Sequence, residues 1–334
     1  MAAAEITYSR ELSFWGVLSV SKRIINAHSR HFLALSVVFL LPLSFSLIIY
    51  PTLENTLAQP NSFIPQQSLF LSLSATYPEP TKTQIIIPLL YCFFFLLLSV
   101  LAVASITYST FHGFYGRPVK IVSSVKSIFY SFFPLLCTLF VAQIIMSLII
   151  LFYALLVALV YKSLLLLGFE ISLDSKYFVG FMIFVAVVTM LSLVAVQVNW
   201  ALANVIVVVE SKWGYEPLRR SASLVRGMKG VSLSMLLFYG IAIWFLVWAC
   251  WTSVINGSEA GGLWSFAFVV QTVVGSGFVT LLMLQNVAAN VVLYMYCKAF
   301  QGELASEIAE EFARDYVSLP FDCEKVPHVV SVQV

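Results

Sequence analysis

The sequence predicts an all-α polytopic membrane protein: six transmembrane helices as three pseudo-repeated hairpins, each preceded by an amphipathic interfacial helix. Three observations predict it. The first is composition. Of 334 residues, 60% are hydrophobic and only 10% are charged, against roughly 45–50% and about 25% in soluble domains. A soluble monomer of this size has too little interior for so much apolar side chain. The second is a set of six apolar runs without Asp, Glu, Lys or Arg, each near or above the ~20 residues a span needs. The third is the alternation of basic residues between successive loops, the mark of cytosolic and non-cytosolic sides. As readings of the whole chain, a nucleic-acid binder, a disulfide module and a disordered polymer are excluded.

Residues 1–31 read as a cytosolic N-terminal amphipathic segment. Charge runs through it, and no apolar core of signal-peptide length precedes a small-residue cleavage site. Within it, Ser13–Ile25 turns Phe14, Val17, Leu18, Ile24 and Ile25 toward one face. Residues 32–298 form the six-span membrane domain. Its spans are Phe32–Tyr50, Gln84–Thr110, Phe129–Tyr161, Tyr177–Val209, Val231–Trp251 and Leu263–Cys297. The third, fourth and sixth exceed 30 residues. At 1.5 Å per residue they outrun the ~30 Å hydrocarbon core and are expected to tilt or project. Pro42 and Pro134 are expected to kink their spans or mark first turns.

Fifteen Lys and Arg fall on one side of this topology and three on the other, which predicts cytosolic termini. Residues 299–334 form a cytosolic tail. Its Glu303–Asp315 stretch is an acidic amphipathic helix, with Leu304, Ile308 and Phe312 along one side. It is expected either to dock on the basic helices by opposite charge or to bind a cytosolic protein partner.

The plan repeats. Pro118–Phe129 and Pro217–Met228 are basic amphipathic stretches like Ser13–Ile25, and each follows a glycine turn. Both prolines suit the first position of a helix. Pro118 and Pro217 are 99 residues apart, as are Ser105 and Asn204 in the spans before them. The shared offset predicts equivalent positions in a repeat.

Two groups of residues are candidates for function. Lys22, Arg23, Lys120, Lys126, Arg219, Arg220 and Arg226 lie in the basic stretches. Near an anionic leaflet each would contribute about 1 kcal/mol of attraction to lipid headgroups, with the apolar faces at the acyl boundary. The plainer expectation is that they only fix topology. Gln197, Asn199, Asn204, Asn286 and Asn290 form an intramembrane polar cluster, and Asn286 and Asn290 share a helix face. Such amides usually bond between helices; the sharper alternative is that they line a cavity for a substrate or lipid headgroup.

Chemistry has no other foothold. No hydrolase, zinc-protease or phosphate-loop motif is present, and no catalytic residue is expected. The four histidines are scattered and the five cysteines lack a C-x-x-C spacing, so no metal and no cofactor are expected. Span centres without ionisable residues disfavour a proton-coupled pump. Gly275-Ser276-Gly277 is expected to allow close helix approach. Trp244, Trp248, Trp251 and Trp264 are expected to form an aromatic belt. Asn256-Gly257-Ser258 is a glycosylation sequon in a short predicted loop.

The stretch from Val209 to Ser221, followed by Leu224-Val225-Arg226-Gly227, resembles an uncharacterised plant multi-pass membrane protein family. More distantly it resembles the membrane domain of bacterial glycerophosphodiester phosphodiesterases. Those share a glutamate at a span end, here Glu210, then an amphipathic helix ending in Leu-Val-x-Gly. Pro217 stands where alanine is usual. The resemblance implies a membrane domain without the hydrolase.

Two functions follow as expectations. One is a non-enzymatic membrane protein that organises lipids or partner proteins at the cytosolic face, with membrane lipids as partners and no direct nucleic-acid contact. The other is a facilitator moving a lipid or small amphiphile through the bundle. A wide cavity lined by Asn204, Asn286 and Asn290 would favour the second, and a dry core with those amides mutually bonded the first.

Overall fold

The computed structural model describes residues 13–58, 82–116, 121–166, 176–261 and 266–304. Among them every regular element is helical. The order is α1 (Phe14–Ala27), α2 (Ser29–Leu35), a π-helical turn (Ser36–Leu40), α3 (Leu41–Ala58), α4 (Lys82–Phe114), α5 (Ile121–Leu166), α6 (Lys176–Trp200), α7 (Ala203–Glu210), α8 (Glu216–Leu224), α9 (Lys229–Gly261) and α10 (Phe266–Phe300). Six stretches are long and apolar enough to cross a membrane. The first combines α2, the π turn and α3, and the fourth combines α6 and α7. The second, third, fifth and sixth are α4, α5, α9 and α10. This is a multi-pass, all-helical membrane protein.

The prolines act locally. Pro42 has no N–H to return to the carbonyl of Val38, and the helix widens into the π turn just before it. Pro134 lies within an uninterrupted α5, where Thr138 Oγ1 donates to its carbonyl at 2.8 Å. The predicted loop after the fifth span is helical as far as Gly261. Asn256 and Gly257 lower helix propensity there without stopping the ladder.

The sixth span is central. Ala288, Ala289 and Val291–Met295 are fully buried against the first two spans, α1 and α7. Gly275 allows the close approach expected of it: a Cβ there would stand 2.5 Å from Cys250 Sγ. Ser44 Oγ bridges the first and sixth spans, bonding the Ser276 carbonyl at 3.0 Å and Thr280 Oγ1 at 2.7 Å. His31 Nε2, Ser109 Oγ and Ser124 Oγ join the first three spans, with 2.9 Å in each link. The third and fourth spans pack on the rest of the bundle mainly near its basic end, and on each other at the far end, where the Tyr161 and Phe178 rings lie 5.7 Å apart. Between those ends, Ile144, Leu148 and Leu155 on α5 and Ile183, Phe184 and Leu191 on α6 are exposed.

The basic stretches differ from one another. The first is a separate helix, α1, whose N-cap Ser13 accepts from Gly16 N and whose buried face is Val17, Ser21 and Ile24. The third is α8 and a turn of 3₁₀ helix, with Pro217 in its first turn. The second begins among residues 117–120, outside the described residues. From Ile121 it runs straight into the third span, because no glycine interrupts it as Gly227 does after α8. The apolar face of α8 also lies elsewhere than the acyl boundary. Leu218, Leu224, Val225 and Met228 are buried in the protein, where packing against neighbouring helices replaces contact with lipid.

Candidate functional site: a cavity beside a broken helix

The fourth span does not run through. Its helix stops at Trp200, turns at Ala201 and Leu202, and restarts at Ala203. Such a break frees backbone groups that hydrocarbon cannot satisfy. Two serines from the following segments satisfy them. Ser221 Oγ donates to the Asn199 carbonyl at 2.7 Å and accepts from Leu202 N at 3.2 Å. Ser232 Oγ donates to the Val198 carbonyl at 3.2 Å. Both serines are fully buried. The break thus belongs to the fold and carries its own clasp. Broken helices of this kind are tolerated where they are buried in protein or line a cavity.

Here the break lines a cavity. It measures about 640 Å³ and lies between the fourth, fifth and sixth spans, with Leu47 of the first span at its margin. One end is polar, built from Gln197, Asn204, Ser232, Asn286 and Asn290. Trp200 and Ala201 at the break join this wall. The other end is aromatic. Trp244 and Trp248 stack at 6.1 Å between ring centroids, and the Trp251 indole donates to the Leu47 carbonyl at 3.2 Å. Ser232 and Trp251 both line it, and nineteen residues of helix separate them by roughly 28 Å, close to the ~30 Å of a hydrocarbon core. Trp244 and Trp248 are also exposed on the flank of the bundle, so the cavity opens sideways. Among the described residues, no lining side chain is charged.

Four of the five predicted amides meet here. Asn290 Nδ2 donates to Asn286 Oδ1 at 3.2 Å, one turn away. Gln197 and Asn204 make no side-chain hydrogen bond among the described residues. Asn199 stands apart: its Nδ2 donates to the Ala195 carbonyl of its own helix. The cavity adds residues that sequence alone did not single out. Tyr239 lines it, is 1% exposed, and has a hydroxyl without a partner among the described residues. Gly240 lines it too, and a Cβ there would meet nothing within 4 Å. No sequence signal marks the break itself, since neither glycine nor proline lies between Asn199 and Asn204. Of the predicted tryptophans, Trp244, Trp248 and Trp251 line the cavity flank; Trp264 lies outside the described residues.

The predicted headgroup residues separate into two kinds. Lys22, Arg23, Lys126, Arg219 and Arg226 are exposed, and Lys120 lies outside the described residues. Arg220 instead turns inward. It pairs with Glu303 and stands 3.6 Å from Glu210 Oε1, which also accepts from the Tyr294 hydroxyl at 2.9 Å. The Glu303 hydrogen bond raises the Arg220 pKa above the ordinary guanidinium value; burial opposes this and the Glu210 charge adds to it. Lys212 completes the group, 3.6 Å from Glu210 and 3.1 Å from Glu216. Ser211 and Gly214, both at positive φ, turn the chain from α7 into α8, and Gly214 N donates to Thr138 Oγ1 at 3.1 Å. Gln301 Nε2 bonds the Ser223 and Leu224 carbonyls. The start of the tail is therefore tied to α8; residues 305–334, with the rest of the acidic helix, lie outside the described residues.

The family model for Domain of unknown function (DUF8558) matches residues 5–320, and the chain belongs to that family. No curated protein and no solved structure matches it.

Proposed function

We propose that this protein is a facilitator, binding a lipid or small amphiphile in the cavity beside the broken helix and helping it move along the bundle. The observation that carries this reading is the union of Asn204, Asn286 and Asn290 around one sideways-open cavity of about 640 Å³. A ligand entering from the bilayer meets an aromatic, apolar flank first and hydrogen-bonding groups at the far end. The unpaired Gln197 and Asn204 amides support it, because polar groups at membrane depth are costly without partners. The distant likeness of residues 209–227 to the membrane domain of bacterial glycerophosphodiester phosphodiesterases fits a lipid-handling bundle. We place the cavity's polar end toward the cytosol, as the charge asymmetry predicts.

Transbilayer movement of a fluorescent single-chain lipid, followed by quenching in proteoliposomes, tests the proposal. The wild type should accelerate movement over protein-free vesicles. Gly240→Trp, which fills the cavity, should remove the acceleration. Gly180→Trp should keep it, because Gly180 is exposed on α6 outside the cavity and also meets nothing within 4 Å. Equal rates for wild type and Gly240→Trp would overturn the reading. The organiser function is the second reading, supported by the exposed Arg219 on α8 and Arg226 in the turn after it.

A further inference from the structure

Resting on that reading, we infer that the cavity's occupant is a single-chain amphiphile with an uncharged, hydrogen-bonding head, such as a monoacylglycerol or a long-chain amide. Its head lies among the amides and its chain along the tryptophans.

Charge selects the head. Every polar side chain at the amide end is an amide, a hydroxyl or the Trp200 indole, and among the described residues no lining side chain is ionised. A phosphate or ammonium head placed there would lose water without gaining a counter-charge. The ionised groups at the end of the bundle are paired with one another: Arg220 with Glu210 and Glu303, and Lys212 with Glu210.

Volume selects the chain number. At roughly 30 Å³ per water-sized group, 640 Å³ holds on the order of 20 non-hydrogen atoms. That is one acyl chain and a small head. A two-chain phospholipid is far larger and could place only part of itself inside.

Unspent hydrogen-bonding capacity points to a ligand rather than to packing. The Asn286–Asn290 bond uses one donor and one acceptor of a pair that offers more. Gln197 and Asn204 line the same end and make no side-chain hydrogen bond among the described residues, so a bound hydroxyl or amide would find partners there. Gly240, also in the lining, keeps the space beside it open.

Native mass spectrometry on the full chain tests this, with monooleoylglycerol, lysophosphatidic acid and dioleoylphosphatidylcholine titrated separately. Monooleoylglycerol should bind at least tenfold more tightly than either of the others. Gly240→Phe should abolish its binding. Asn204→Leu should weaken it several-fold; a side chain that only packs, making no side-chain hydrogen bond among the described residues, would leave the affinity unchanged on this near-isosteric exchange. If Gly240→Phe leaves all three affinities unchanged, the cavity is not the site, and the facilitator reading falls with this inference. If Gly240→Phe removes binding but the three probes bind equally, or the charged one binds best, the cavity stands and the ligand class assigned here is wrong.

Discussion

Ser221→Ala asks whether one side chain holds the break in the fourth span. The Ser221 hydroxyl donates to the Asn199 carbonyl at 2.7 Å and accepts from Leu202 N at 3.2 Å. Alanine fits the space and removes both bonds. Each buried backbone group left without a partner costs about 1–3 kcal/mol, so the expected loss is about 2–6 kcal/mol if the break persists. Partial relaxation toward a continuous helix would lower the figure, and it would also displace Gln197 and Trp200 from the cavity wall. Ser223→Ala is the control. Its hydroxyl bonds only the Arg220 carbonyl in its own helix, and its loss should stay within about 0.5 kcal/mol. Unfolding in mixed micelles by added SDS, read by circular dichroism, gives the difference between the two variants. Hydrogen exchange at the Leu202 amide gives the local effect, which should be faster exchange in Ser221→Ala alone. Equal midpoints and unchanged Leu202 exchange would refute the clasp.

Gly275→Ala should destabilise the protein by about 1–3 kcal/mol, because its Cβ would stand 2.5 Å from Cys250 Sγ. Adding Cys250→Ala should recover most of that in SDS unfolding, whereas Gly277→Ala, with nothing within 4 Å, should be neutral. Arg220→Gln should cost about 1–2 kcal/mol by loosening both Glu210 and Glu303; Arg219→Gln, on the exposed side, should stay within about 0.5 kcal/mol. In flotation with vesicles, Arg219→Gln with Arg226→Gln should lower the preference for anionic over neutral lipid by about 1 kcal/mol per residue, and salt should narrow the gap. Unchanged preference in that double variant would leave these arginines with topology alone.

The spans were legible in the sequence because hydrocarbon imposes one rule on every residue in it. Each of the six apolar runs overlaps one of the six spanning helices. Their ends were less legible, since α3 and α9 continue past Tyr50 and Trp251 through residues of mixed polarity. The amide cluster was legible as chemistry, but not which amides share a space. Asn199 and Asn204 are five residues apart, and an uninterrupted helix would not suggest that only the second reaches the cavity. The break could not be read because its cause is distant: Ser221 and Ser232 supply the bonds from beyond the loop. Arg220 and Arg219 are equivalent in sequence. The partner that separates them, Glu303, is more than eighty residues away.

The interruption at Ala201–Leu202 also divides the cavity wall by mechanical role. Asn204 belongs to α7, which is wedged in the core through Val205, Ile206 and Val207. Gln197 and Trp200 belong to α6, whose far half has exposed apolar side chains. From the turn to Lys176, α6 is a lever arm of roughly 36 Å. A rotation of about 5° at the turn would carry its tip roughly 3 Å while moving Gln197, one helical turn from the pivot, by well under 1 Å. Gln197 and Trp200 are the described α6 residues in the wall, so such a swing would leave the amide end nearly in register while the exposed outer half of α6 moves. The Ser221 and Ser232 hydroxyls hold that joint.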